Sequence, residues 1–291
     1  DRKYKKLKNR RQQMIKIDPI VPSDYHSATK LLRKFFEDKG FVEVPTQHRL
    51  SILAACEDPT TIGTFNYLGQ VWPLPQTGQM WLETELLKNK EYEGVFCQST
   101  SYRQEPNPVE GRHSLIFPMF EFEHRGTFED LIALKKELLE YLGFEEEQIL
   151  RKTYGEIVEK FGVEEIGANE EERIYNEITP SLLLTDFPET SNPFWNMKRN
   201  LSEKTANKVD AILFGIETIG SAERETDTKI MEERFHSISD GLYADLLYSH
   251  FGRHRVLREL HEFLSLEMTP RFGGGIGMTR MVRTFKLLGK I

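Results

Sequence analysis

Gly273-Gly-Gly-Ile-Gly-Met-Thr-Arg280 sets three alternate glycines, at 273, 275 and 277, directly before a helix expected to begin near Met278. A dinucleotide fingerprint would need a following βαβ unit and an acid about 20 residues on, whereas the sequence runs only to Ile291. A P-loop is excluded because no Gly-Lys-Ser/Thr follows. Two readings remain open for these residues alone. One is a strand stripped of side chains so that a ligand approaches its backbone, with the first helical turn presenting Arg280. The other is a tightly packed strand–helix junction.

About 170 residues upstream lies Tyr102-Arg-Gln-Glu105, followed by Arg112-His113. Residues 95–105 and 114–123 both read as extended, and the turn-rich Pro106-Asn-Pro-Val-Glu-Gly111 between them suggests an antiparallel hairpin with a loop able to cover a ligand. On a strand, Arg103 and Glu105 share one face. A guanidinium there suits a phosphate, through its bidentate fork, and the carboxylate can accept from an adenine amino group. Arg112 and His113 are placed to grip a second phosphate. Glu121 and Glu123 share one face of the second strand, with Phe120 and Phe122 on the other.

The rest of the chain frames these segments. Residues 23–39 read as a helix with Ser23 as cap and Ala28, Leu31, Leu32, Phe35 and Phe36 on one face. Gly40 stops it, and Phe41-Val-Glu-Val44 reads as a strand. Thr127-Phe-Glu-Asp130 is a capping box opening a helix to about Leu142. Residues 145–177 read as a helical insert, and 182–187 and 211–214 as buried strands. Antiparallel groups of strands with helices gathered around them make the fold class α+β.

Composition is that of a globular chain: 291 residues, 38% hydrophobic, 29% charged, formal net charge −7. No apolar run approaches the roughly 20 residues of a membrane span. Cys56 and Cys97, without a CxxC or His/Cys cluster, argue against a zinc site or disulfide framework and fit a reducing cytoplasm. Residues 1–22 form a basic arm, read as solvated surface in preference to an RNA-phosphate contact. The chain begins at Asp1, so a trimmed start is expected.

Together, the Arg-x-Glu strand, the loop, Arg-His and the aromatic–acid strand resemble motif 2 of class II aminoacyl-tRNA synthetases, and Gly-x-Gly-x-Gly-x-x-Arg resembles motif 3. The helix at 23–39 followed by Gly-Phe-Val-Glu-Val resembles motif 1, the dimerisation element, although Gln47 replaces the proline of that pattern. Ile116 likewise replaces a motif 2 glutamate. Gly78-Gln79 with Glu83 is similar to the substrate segment of asparaginyl enzymes, and the subgroup implied is aspartate/asparagine/lysine. A second likeness, in the glycine strand, His113-Ser and Phe120-Glu-Phe-Glu123, is to ammonia-dependent, AMP-forming asparagine synthetases.

The resemblance implies a catalytic domain over 23–291 with a six- or seven-stranded antiparallel sheet flanked by helices. ATP and Mg²⁺ are the expected cofactors. Arg103, Glu105, Arg112, His113, Phe117, Gly277 and Arg280 would bind ATP, with Arg103 and Arg280 catalytic. Glu57 and Gln79 would hold the substrate ammonium and Arg224 its side chain, with Glu121, standing where aspartyl enzymes carry Asp and asparaginyl ones Glu, a further substrate-binding position. Asp210 and Glu217, which alone would pass for surface acids, would carry Mg²⁺. Phe117 is divided between core packing and adenine stacking, and Trp72 and Trp81 are assigned to packing. The expected partners are an aspartate- or asparagine-like amino acid, ammonia or tRNA as acceptor, and a second copy of the chain as homodimer; no membrane is expected. About two dozen residues precede the core, far short of an OB fold. That favours an asparagine-synthetase-like ligase over an aminoacyl-tRNA ligase of asparaginyl or aspartyl type, with a catalytically silent binding protein as third reading.

Overall fold

The structure is a computed structural model that describes residues 19–45, 50–55, 58–105, 114–191 and 194–291. The basic arm up to residue 18, Glu57, Arg112 and His113 lie outside the described residues. The first helix, α1, spans Pro22–Asp38. It starts on the proline, with no side-chain cap at Val21, so the expected Ser23 cap is not made. Proline's fixed φ and missing N–H suit the first helical position. Its face of Ala28, Leu32, Phe35 and Phe36 is buried, as the spacing predicts.

Among the described residues, the centre of the fold is a nine-stranded sheet, larger than expected. In chain order its strands are β1 Phe41–Glu43, β4 Gly94–Tyr102, β5 Ile116–Arg125, β6 Ile149–Thr153, β7 Ser181–Pro188, β8 Arg199–Asn200, β9 Thr205–Leu213, β10 Ile216–Glu223 and β11 Arg271–Gly277. Their spatial order is β1-β4-β5-β11-β10-β9-β7-β6, with β8 added beside β9. Pairing is antiparallel except at the two edges, β1–β4 and β6–β7. A separate hairpin, β2 Thr64–Tyr67 and β3 Gln70–Pro73, stands apart. The segment read as a helical insert contains two helices, α4 Tyr154–Phe161 and α5 Ala168–Glu177, but also supplies the edge strand β6. A parallel edge needs a crossover, and α4 and α5 provide it.

The two faces differ. On one, Phe96, Phe120, Phe122, Leu183, Val209, Ala211 and Ile276 pack against α1, α3 (Phe128–Leu142) and α9 (Met278–Leu287). The capping box of α3 forms as expected, with Thr127 N donating to Asp130 Oδ2 at 2.8 Å, and Gly143 at φ 107° ends the helix. On the other face, α4 and α5 cover Leu182, Leu184 and Ile212 at one end. At the opposite end α2, Gln79–Lys88, covers Val95 and Cys97 through Leu82 and Leu86. Beyond α2 a second cluster joins α6 (Thr228–Ser237), α7 (Leu242–Phe251) and α8 (Arg253–Leu264) around Trp195. Trp72 and Trp81 are packing residues, the former against this cluster and the latter buried. No described helix is long and apolar enough to cross a membrane.

Between these two covers, the middle of the second face carries glycine. In this central position the glycine strand β11 pairs with both β5 and β10. A Cβ at Gly274 would lie 2.6 Å from the Gly220 carbonyl oxygen, which is backbone and cannot swing aside. Gly274→Ala is therefore expected to destabilise by about 1–3 kcal/mol through overpacking, measured by denaturant unfolding. A loss within error of zero would mean the strands separate without penalty.

Candidate active site

The sheet register brings one row of residues into line across five strands. Asp210 faces Gly220, Gly220 faces Gly275, Gly275 faces Glu121 and Glu121 faces Cys97. Facing residues in antiparallel strands project to the same side. With strands about 4.8 Å apart, Asp210 and Glu121 stand on the order of 14 Å from one another, separated by a floor of glycine backbone. Of the two readings of the glycine strand, the ligand-approach reading acquires a trench, and the close-packing reading holds on the reverse side at Gly274.

At the β4–β5 end, β4 stops at Tyr102, so Arg103 and Glu105 do not share a strand face as expected. Arg103 N still donates to Leu115 O at 2.8 Å, but Gln104 N turns to Thr61 O at 2.8 Å and takes the chain out of the ladder. Arg103 lies with its guanidinium carbon 5.6 Å from the Phe117 ring centroid, and its Nε donates to Ser101 Oγ at 3.4 Å. Phe117 is half-buried on the trench side, and Glu105 is half-buried beyond the strand end.

Glu121 is fully buried and already occupied. Its carboxylate accepts from Gly78 N at 2.7 Å and from the hydroxyls of Thr77 and Ser99. It therefore moors the loop that starts α2 and positions Gln79. Gln79 Oε1 accepts from Arg224 Nη2 at 2.5 Å. Guanidinium has donors only, so it is the oxygen of Gln79 that faces it. The amide nitrogen then lies over the floor, 3.5 Å from where a Gly275 Cβ would be. In this arrangement Gln79 offers N–H donors to the trench, whereas the resemblance implied contact with an ammonium.

Beneath Gln79 is a buried charge network. Arg224 Nε donates to Glu123 Oε1 at 3.1 Å and lies 3.6 Å from Glu83 Oε1. Arg271 Nε and Nη2 donate to Glu83 Oε2 at 2.9 and 2.7 Å, and Asn196 Nδ2 donates to Glu83 Oε1 at 2.8 Å. Glu83, Glu123, Asn196 and Arg271 are fully buried. Burial pushes the Glu123 carboxyl up to about 8 from 4.5, against the attraction of Arg224. Between those values the native state keeps a proton that the unfolded chain has lost, so this group's contribution to stability falls as pH rises. Glu123→Gln is expected to flatten the decline of Tm from about pH 5 to about pH 8. An unchanged slope would mean that Glu123 stays ionised throughout.

At the other end of the trench, Asp210 and Glu217 converge over Gly220: a Cβ there would lie 3.1 Å from Glu217 Oε1 and 3.6 Å from Asp210 Oδ1. Burial raises the Asp210 carboxyl to about 6, opposed first by Lys208, whose Nζ is 2.8 Å from Asp210 Oδ2. Asp210 Oδ1 is buried without a hydrogen-bond partner. Hard carboxylate oxygens suit Mg²⁺, so the pair fits the expected cation. No group of three or more acids, histidines or cysteines able to hold a metal ion forms among the described residues, so Asp210 and Glu217 would be the two protein carboxylates offered to the cation. Arg280, on the first turn of α9, donates from Nη1 to Glu217 O at 2.6 Å and so reaches the same end. Gly277 caps that helix with an extended backbone.

Sequence reasoning missed Arg271, Asn196, Lys208 and Lys135 as parts of this region. Only Lys135 carried a local signal: it interrupts the apolar stripe of Leu131, Leu138, Leu139 and Leu142 on α3. The others become visible only when distant strands meet.

Residues 3–291 match the family model described as tRNA synthetases class II (D, K and N). The cytoplasmic aspartate–tRNA ligase of Rattus norvegicus is 24% identical over 293 residues, covering 88% of this chain and 55% of that protein. The lysine–tRNA ligase of Aliarcobacter butzleri is 31% identical over 126 residues, 42% of this chain and 24% of that protein. The chain thus spans about half or less of the length of these relatives. Among solved structures, asparaginyl-tRNA synthetase from Pyrococcus horikoshii complexed with asparaginyl-adenylate superposes with a TM-score of 0.74 at 19% identity, covering 91% of this chain and 65% of that one. With the model matched over nearly the whole chain and the glycine-floored sheet in place, the chain belongs to the class II tRNA synthetase family of the aspartate, lysine and asparagine subgroup.

Proposed function

We propose that the trench activates an aspartate- or asparagine-type amino acid with ATP, forming an aminoacyl-adenylate and releasing pyrophosphate. The observation that carries this is the side-chain-free floor lying between Gln79 with Arg224 at one end and the Asp210–Glu217 pair at the other. Adenine stacks on Phe117 beside Glu105, and Arg103 meets the α-phosphate as negative charge grows there during in-line attack by the substrate carboxylate. Arg280 takes up charge on the departing pyrophosphate, with Arg112 and His113 assigned to the same nucleotide. Mg²⁺ held by Asp210 and Glu217 would supply further charge neutralisation to the phosphates. No side-chain nucleophile is required, since positioning and fixed charges supply the catalysis.

The ligase class is supported by relatives that are aminoacyl-tRNA ligases, and this favours tRNA over ammonia as the acceptor of the activated group. The asparagine-synthetase-like chemistry expected from sequence becomes the second reading, and a homodimer through α1 and β1 remains part of the proposal. The retention of Arg103, Glu105, Arg112, Arg224 and Arg280 in the sequence supports activity over a catalytically silent protein.

The test is ATP–pyrophosphate exchange with Mg²⁺ and either aspartate or asparagine, followed by addition of tRNA or ammonium. Exchange with one amino acid and transfer to tRNA is the expected result. Free asparagine formed from aspartate and ammonium would establish the second reading, and no exchange with either amino acid would refute adenylate formation of this type.

A further inference from the structure

Directly behind the acid pair, on the helix-covered face of the sheet, lies Lys135 of α3, only 1% exposed. Its Nζ donates to Val209 O at 2.7 Å and to Ile219 O at 3.0 Å. Those carbonyls belong to the residues immediately before Asp210 and Gly220, the facing pair over which the carboxylates converge. The same stretch of β10 is irregular, its register shifting between Glu217 and Ile219. A shift of this kind takes backbone groups out of the ladder, and a buried carbonyl such as Ile219 O then requires another donor, while Val209 O also accepts from Ser221 Oγ at 3.0 Å.

A neutral donor would satisfy two carbonyls. An ammonium placed there carries a desolvation cost of several kcal/mol that two hydrogen bonds to neutral groups do not offset, and no described carboxylate is within ion-pair distance of it. The compensating charge is on the other side of the sheet. Asp210 is also buried, at 4% exposure, with one oxygen lacking any hydrogen-bond partner. Burial pulls Lys135 down to about 7 while Asp210 and Glu217 act to hold its proton on.

We propose that Lys135 is the fixed counter-ion of the acid pair, acting through the sheet: anchored on the Val209 and Ile219 carbonyls, its ammonium balances Asp210 and Glu217 and pins the irregular β10 segment at which they converge. With Arg280 on the Glu217 carbonyl and Glu171 on the Glu217 amide, three cations and three carboxylates then balance at this end of the trench. Lys208, on the trench side, pairs with Asp210 Oδ2 at 2.8 Å, with its ammonium 4.1 Å from the Phe187 ring centroid. Lys135 is held from the opposite face by the two carbonyls, so it would not compete with a cation for the carboxylate oxygens. Lys135 is in this sense a positioning residue.

The test needs neither metal nor substrate. Thermal unfolding in chelator is compared for wild type, Lys135→Met, Asp210→Asn and the double variant at one pH. Lys135→Met keeps most of the stem volume and is expected to lower Tm by roughly 6–12 °C, as for a buried pair that loses one partner. Adding Asp210→Asn should then recover about half of that loss or more, because the uncompensated charge is gone. If Lys135 served only the two carbonyls, or only filled space, the two losses would add, and additivity overturns the proposal. Should Lys135→Met fail to fold, the double variant decides: a folded double variant supports the charge balance, and an unfolded one overturns it.

Discussion

Arg103→Ala is expected to lower ATP–pyrophosphate exchange by about 10²–10³-fold, the usual loss on removing one preorganised charge contact to a transition state. Arg103 follows the last residue of β4, and its main chain is held by Leu115 O. Its guanidinium lies over Phe117 and is tethered to Ser101 Oγ. Arg103 is only partly buried at the strand end, so the variant should unfold within about 1–2 °C of wild type, as substitutions outside the core usually do. Arg103→Lys should rescue little, since an ammonium lacks the planar fork that grips two phosphate oxygens and stacks on a ring. Exchange close to the wild-type rate in Arg103→Ala would remove Arg103 from the mechanism and with it the placement of the α-phosphate.

The second large effect is on stability. Arg271→Met leaves Glu83, fully buried, without the two charged hydrogen bonds from Nε and Nη2. Removing one partner of a buried pair costs about 3–5 kcal/mol, a large share of the roughly 5–15 kcal/mol that holds a folded chain together. Asn196 and the more distant Arg224 still reach Glu83, which keeps the loss within that range. Glu83→Leu in the same chain should return part of it, because an apolar pair replaces a stranded carboxylate. Denaturant midpoints of the two single variants and the double variant measure this directly. A loss below about 1 kcal/mol in Arg271→Met would mean that water or another donor reaches Glu83. Exchange activity should fall as well, since Glu83 and Glu123 both border Arg224.

Several features were legible because they are local. The stripe on α1, the capping box of α3 and the alternation of Phe120 and Phe122 with Glu121 and Glu123 each follow from a period of 3.6 or 2. Each is present in the structure. Where a distant group competes, local reading slipped. The strand expected to run through Glu105 ends at Tyr102 because Gln104 finds the Thr61 carbonyl. The Ser23 cap gave way to Pro22 at the first helical position. The strand β6, at the start of the segment read as a helical insert, exists because β7 offers it a parallel edge.

The amino-acid sequence by itself determined the kinds of element, the faces of the two central hairpin strands, the bare glycine strand and the family to which they point. Residues two or four apart decide those things, and the chain carries them wherever it goes. Tertiary structure alone decided what each charged side chain meets. Gln79 turns its oxygen to Arg224, Arg271 closes on Glu83 from 188 residues away, and Asp210 pairs with Lys208 while Lys135 holds the carbonyl of the preceding residue from the far side of the sheet. Strand order is set by packing and not by neighbours in the chain, and in the low dielectric that packing creates, partner identity governs whether a charge can be buried at all.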